Sequence, residues 1–354
     1  MNEKFSFREA VKEAKRDFPE ETRNINFIDL STPTAREDFK SWLRTTNLPG
    51  SRDKGPYDET ADEAFDTFLN GDGFVAYRDK STGRAALLYN PKSRAVDHMF
   101  SKQFVFDHEF GHLLVQAGLA DFVDLKDKPD LKPEEYGQIL AATVKAESCA
   151  DTFALLRGIR RGQIGEREIN DVSLTRGMES ALESSVSHLT MTSVDALLID
   201  HRLSDLAKLT PQQQKGFAGE HADIHTPDPL SLVFCQYNFR PSSQNRRNAR
   251  QQLLNMAKPV MEAPSDSLEF YVAARVLSTA VRTGAVDYVG PLADNLPKSA
   301  LEEMKEALRE RVPELGRYAL LMQTFGQNKD EVLAQTYEDY DFITPQAPLA
   351  APGM

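Results

Sequence analysis

Apolar positions along the chain change their period twice. Before residue 70 they recur at helical spacing in short stretches. Thr34 with Glu37, and Thr60 with Glu63, stand three apart in front of those stretches, the spacing of a capping box. The first ten residues carry early acids and no apolar core, so they are read as the start of a helix and not as a signal peptide. After Gly71-Asp-Gly73 the period becomes short. Phe74–Asp79 and Arg84–Tyr89 are strand-like runs flanking Lys80-Ser-Thr-Gly83, a hairpin loop, and Pro91 ends the second run. From Phe100 onward almost everything is helical. One helix is predicted over Phe104–Leu119, stopping near Gly118. A second runs from Pro133, with Glu134 and Glu135 in its first turn, to about Gly162. Weaker patterns cover Ser180–Leu189 and Ser193–Leu206, and Thr226-Pro-Asp-Pro229 is a break.

These patterns predict an α+β protein that is predominantly helical, with a small hairpin sheet ahead of the helix at 104–119. The expected divisions are a helical N-terminal segment over 1–70, a core over 71–226, a helical C-terminal subdomain over 227–342 and an unstructured Pro- and Ala-rich tail over 343–354. In the C-terminal part, Asp266 with Glu269 and Ser299 with Glu302 repeat the capping-box spacing. No internal repeat is present.

Composition narrows the possible functions. The 354 residues are 40% hydrophobic and 27% charged, with a net charge of −12. That balance suits a globular protein with real cores and argues against a general binder of nucleic acid or anionic membrane, whose affinity comes from Lys and Arg. The basic stretch Arg240–Arg250 is read as a solvated helix face. No window reaches the roughly 18 apolar residues of a membrane span. Two cysteines, Cys149 and Cys235, make no disulfide framework, so a reducing cytoplasm is the expected compartment. Export by a route that reads no N-terminal Sec signal is the alternative.

One segment carries chemistry: Phe106-Asp-His108-Glu109-Phe110-Gly111-His112. With 7 histidines in 354 residues, H-E-x-x-H arises by chance on the order of 0.01 times per chain. Residues four apart share a helix face, so both imidazoles reach one metal ion. Glu109, about 100° round the helix, is placed as a general base toward a water on that ion and not as a third ligand. No glycine follows His112 at three positions and no histidine at six, so the metzincin extension is absent. The best candidates for a third ligand are Glu147 and Asp151, one turn apart on the next helix. Lys145, Ser148 and Thr152 define that helix's polar face, and the two carboxylates fall outside it, among Leu140, Val144, Ala154 and Leu155. Carboxylates in that setting repel and lose hydration unless a cation and a hydrogen-bond donor accompany them.

His108-Glu109-Phe110-Gly111-His112 followed by Glu147-Ser-Cys-Ala-Asp151 resembles the gluzincin branch of the zincin metallopeptidases, with its H-E-x-x-H and downstream E-x-x-x-D. The H-E-x-G-H form and Ala150-Asp-Thr-Phe-Ala-Leu-Leu156 are also similar to small regulatory peptidases of the ImmA/IrrE type. The likeness covers roughly residues 74–205. It implies a zincin-like catalytic core, Zn²⁺ held by His108, His112 and Glu147, Glu109 as base and proton shuttle, and Asp151 as partner of a ligating imidazole, His108. Asp151 as ligand in place of Glu147 stays open. The family also implies that an extended substrate lies along an edge strand, for which Arg84–Tyr89 is the natural candidate.

The expected activity is that of a zinc metallopeptidase acting on a peptide or protein. A metal-binding regulatory protein of the same fold without turnover is the alternative. His188, His201, Tyr136 and Tyr237 are candidates for stabilising an oxyanion. His221 and His225, four apart, are read as part of a surface loop, and Cys149 as a buried, inert thiol. Substrate identity and oligomeric state are not written in the spacing.

Overall fold

The structure is a computed structural model that describes residues 5–46, 62, 65–66, 73–79, 81–93, 100–115, 132–183, 186–239, 259, 263–264 and 267–283. In chain order the elements are α1 (Phe7–Asp17), β1 (Ile25–Asp29), α2 (Ala35–Leu43), β2 (Phe74–Arg78), β3 (Ala85–Tyr89), α3 (Lys102–Leu114), α4 (Pro133–Arg160), α5 (Glu166–Glu183), α6 (Met191–Asp200), α7 (Leu203–Leu206), α8 (Pro211–His225), α9 (Pro229–Phe239) and α10 (Leu268–Thr283). The protein is α+β and mostly helical, with one small sheet. The capping pairs Thr60/Glu63, Asp266/Glu269 and Ser299/Glu302, the helix stop at Gly118, the Arg240–Arg250 stretch and the tail over 343–354 lie wholly or partly outside the described residues.

The chain forms two compact units. The first comprises Met1–Leu119, Cys149–Gly165 and Ser204–Ala222, and the second Ala120–Ser148, Glu166–Leu203 and Asp223–Met354. Helix α4 runs unbroken through the change at Ser148–Cys149.

In the first unit the strands are ordered β1-β3-β2, with β1 parallel and β2 antiparallel to β3. The β2–β3 hairpin is the expected one. Its turn is held by the Asp79 carboxylate, which accepts from the Ser81 N–H at 2.9 Å and the Thr82 hydroxyl at 2.6 Å. Gly83 closes it at φ 69°, a conformation that costs glycine nothing. Ala85, Leu87, Tyr89 and Phe74 face a core completed by α1 and α3, including Phe7, Phe106 and Phe110. Ala86 and Leu88 face the opposite core with Phe39 and Trp42 of α2.

This arrangement corrects the expectation for Arg84–Tyr89. That strand is central and buried on both faces, so it offers no edge to a substrate. A run apolar at every position is the mark of a strand covered on both sides. Among the described residues the edges are β1 and β2, and β2 is the edge tied to α3: the Arg78 guanidinium donates to the Leu113 carbonyl at 2.7 Å.

Other expectations shift by smaller amounts. Ser6 caps α1, its hydroxyl accepting from the Glu9 N–H at 3.4 Å. Thr34 sits at the N-cap of α2, but its hydroxyl donates to Asp38 at 2.8 Å and leaves the helix's own N–H groups uncapped by it. The helix expected over Ser193–Leu206 is two, because His201 has extended backbone. Ser148 and Thr152 are fully buried, so α4 has no solvated polar face at that level and is enclosed all round.

In the second unit α5, α6 and α10 pack together. Tyr271 bonds through its hydroxyl to the buried Asp195 carboxylate, and Arg275 reaches Asp195 at 3.2 Å and Asn170 at 3.3 Å. Among the described residues no helix is long and apolar enough to cross a membrane.

Candidate metal centre

Helix α3 begins at a capped turn. The Ser101 hydroxyl accepts from the Phe104 N–H at 3.1 Å, and the helix ends at Val115. His108 and His112 sit one turn apart in its interior. Their Nε2 atoms are 3.0 Å apart and their rings meet edge to face. Two nitrogen ligands of a tetrahedral zinc stand about 3.3 Å apart at Zn–N distances of about 2.0–2.1 Å. The imidazoles are thus already close to the separation a shared ion requires.

Helix α4 supplies the rest. Asp151, fully buried, places Oδ1 2.7 Å from His108 Nδ1. A carboxylate only accepts, so the proton of this bond belongs to Nδ1 and the Nε2 lone pair is left facing His112. Glu147 lies one turn earlier on the same helix. One ligand atom from each of His108, His112 and Glu147 fall within 4.8 Å of one another. Among the described residues this is the group of three or more metal-ligating side chains close enough to hold one ion.

The donor set fits a divalent cation. Two imidazole nitrogens and one carboxylate oxygen suit Zn²⁺ and its first-row neighbours, and the hydrogen bond to His108 Nδ1 is the kind that orients a ligating imidazole.

Gly111 lets the helices approach this far. A Cβ built there would stand 3.1 Å from Ala150 Cα and 3.2 Å from Phe153 Cδ1. The backbone of α3 therefore rests on the backbone of α4 beside the site, within reach for His108 to bond Asp151. The local signal was present in the sequence, since Gly111 lies between the two histidines, but its role as a contact point depends on which helix packs there.

Burial is graded across the group. His108 and Glu147 are buried, whereas Glu109 and His112 retain partial exposure. Glu109 and His112 are thus the two of these side chains that solvent reaches in part. Of the four candidates for an oxyanion donor, His188 stands beside this group: its Nε2 is 3.8 Å from Glu147 Oε2, and its Nδ1 is 3.3 Å from the Ser187 hydroxyl. Tyr136 is half-buried on α4, and the Tyr237 side chain lies outside the described residues.

The remaining histidines correct the surface-loop reading. His221 and His225 both belong to α8. His221 is buried and stacks on Phe217 with ring centroids 5.3 Å apart. His225 Nε2 is 3.3 Å from Asp200 Oδ2. Burial pulls the His225 imidazole down to about 4, with the neighbouring His201 adding to it, and pushes the Asp200 carboxyl up to about 6. Cys149 and Cys235 are buried thiols outside any disulfide, and burial raises Cys235 well above the ordinary range.

Comparison with family models, curated proteins and solved structures finds no match to this chain.

Proposed function

We propose that this protein is a zinc-dependent hydrolase of the gluzincin type that cleaves peptide bonds. The observation that carries the reading is the joint arrangement at α3 and α4: His108 and His112 with facing Nε2 atoms, Glu147 within reach of both, and His108 oriented by Asp151. His108, His112 and Glu147 would hold the ion. When bound there, Zn²⁺ polarises the scissile carbonyl and makes water acidic near neutral pH.

Glu109 follows His108 on the partly exposed side of α3. In this reading its carboxylate takes the proton from the attacking water and returns it to the leaving amine, so the same group acts as base and then as acid. Asp151 holds the His108 tautomer throughout. The substrate would run extended beside β2, the edge tied to α3, with main-chain hydrogen bonds supplying most of its affinity. His188, beside Glu147, is the candidate donor to the developing oxyanion.

The same histidine supports a second reading. Were His188 to close on the ion as a fourth ligand, the centre would be a structural one in a regulatory protein, since structural zinc sites fill all four positions with protein. The variant His188→Ala separates the two. The hydrolase reading expects metal to be retained and turnover to fall, and the structural reading expects metal to be lost.

The test of the primary reading is metal content and peptide cleavage in the wild type, Glu109→Gln and His112→Ala. Stoichiometric zinc in the first two, with cleavage abolished in Glu109→Gln, is the expected result. Cleavage that survives Glu109→Gln removes Glu109 from the role of base.

A further inference from the structure

Immediately before His108, the buried Asp107 joins a cluster of charges that the catalytic reading does not use. Both terminal nitrogens of Arg161 donate to its carboxylate, Nη1 to Oδ2 at 2.6 Å and Nη2 to Oδ1 at 2.9 Å. Gln103 adds a bond at 3.3 Å. Arg157 Nε stands 2.8 Å from Asp107 Oδ1, with its guanidinium ringed by Phe18, Phe110 and Phe153 at 5.7–5.8 Å. Helix α1 closes the far side. Glu13 accepts from Arg161 Nε at 3.0 Å and lies 3.2 Å from Arg157 Nη2, and Asp17 accepts from Arg160 at 3.0 Å.

Three carboxylates face three guanidiniums, and Asp107 and Arg157 are almost wholly removed from water. Burying such a network costs several kcal/mol per ion before pairing, so similar apolar side chains often give equal or better stability. Its strength lies in geometry. The forked guanidinium fixes distance and direction at once.

The direction being fixed is the sliding of α3 along α4. Asp107 meets Arg157 and Arg161, His108 meets Asp151, and Gly111 meets Ala150. Rising numbers on α3 match falling numbers on α4, so the helices are antiparallel and in one register. A slip of one residue moves a helix by about 1.5 Å, whereas a metal centre tolerates about 0.2 Å in its ligand distances. A slip would carry His108 away from Asp151, while its approach to His112, made within one helix, would be unchanged.

We propose that Asp107, gripped by Arg161 and Arg157, is a positioning residue that locks the axial register of α3 against α4 and thereby sets the metal affinity of the His108–His112–Glu147 group. The proposal rests on the metal-binding reading above. It also makes α1 part of the centre, because Glu13 holds Arg161 and Arg157 and Asp17 lies 3.5 Å from Arg157 Nη1.

The test is a titration of the full-length apo protein with Co²⁺, reading both affinity and the visible d–d bands, which report ligand geometry. Wild type is expected to bind one ion. Asp107→Asn is expected to bind at least tenfold more weakly with altered bands. Arg161→Lys, which keeps the charge and loses the fork, tests the same point by a milder change, should Asp107→Asn fail to fold. It is expected to weaken binding in the same direction. Phe39→Leu, in the core on the opposite face of the sheet, serves as a control that loses stability through packing alone, and its Co²⁺ affinity and bands are expected to match wild type. A folded Asp107→Asn or Arg161→Lys with wild-type affinity and bands overturns the proposal, as does a Phe39→Leu that weakens binding equally. A wild type that takes up no Co²⁺ overturns the metal reading itself, and that first titration tells the two failures apart.

Discussion

Asp151 Oδ1 stands 2.7 Å from His108 Nδ1, across two helices whose bonded residues are 43 positions apart. The bond decides which nitrogen of His108 carries the proton, and so which nitrogen can bind an ion. Asp151→Asn keeps the shape and removes the charge. Zinc affinity is expected to fall about 10–100-fold, measured by competition with a chromophoric chelator. Unchanged affinity would show that Asp151 does not orient a ligand.

Glu147 and Asp151 exchange roles in the alternative assignment. With Glu147 as ligand, Glu147→Ala should cost more affinity than Asp151→Ala, because it removes a bond to the ion and not a bond to an imidazole. The same competition assay on both variants checks this, and the reverse order makes Asp151 the ligand.

Gly111→Ala tests the close approach of α3 and α4. Helix propensity alone favours alanine by about 1 kcal/mol. The added Cβ would lie 3.1 Å from Ala150 Cα, however, and backbone cannot turn aside as a flexible side chain does. The expected outcome is a destabilisation of about 1–3 kcal/mol by denaturant unfolding, together with weaker zinc binding as the helices part. A stabilised variant with full affinity would mean that the approach is not required.

The Asp200–His225 pair predicts an unusual pH response. Unfolded, the pair holds one proton from about pH 4 to about pH 6.5, on the histidine. Folded, with Asp200 at about 6 and His225 at about 4, it also holds one proton between those values. Proton counts match, so the pair contributes no slope of stability between pH 4 and 6. Asp200→Asn removes the carboxyl and leaves a histidine whose folded value is depressed. Its stability should then be full above pH 6.5 and fall as pH drops toward 4. A single proton limits that slope to about 1.4 kcal/mol per pH unit, and solvent screening lowers it further. Urea unfolding of both proteins at pH 4.5, 5.5 and 6.5 measures it, and parallel profiles would refute the pairing.

Much of this architecture was legible along the chain. The hairpin, the starts of α1 and α4, and the break between α8 and α9 follow from residues that interact with near neighbours. The two histidines of α3 share a face by helix geometry alone. Three features were not legible. Strand β1 pairs with a parallel strand some sixty residues later, which no local pattern announces. The central place of β3 differs from the edge that the family resemblance implies, although Ala85-Ala-Leu-Leu-Tyr89 is apolar throughout, as a strand covered on both faces is. The clamp at Asp107 leaves a faint trace, an acid within the apolar run of α3 and an arginine at Ala154-Leu-Leu-Arg157, whose pairing across some fifty residues no local pattern announces.

Residue order alone establishes which groups share a helical face: His108 with His112, and Glu147 with Asp151. Periodicity is a property of one helix, and covalent connection enforces it. Whether those two faces meet, at what height and in what protonation state, depends on Gly111 resting on Ala150 and on Asp107 held by Arg161. These are contacts between distant segments. They exist only after the chain has folded, because no single helix contains both halves of the bond.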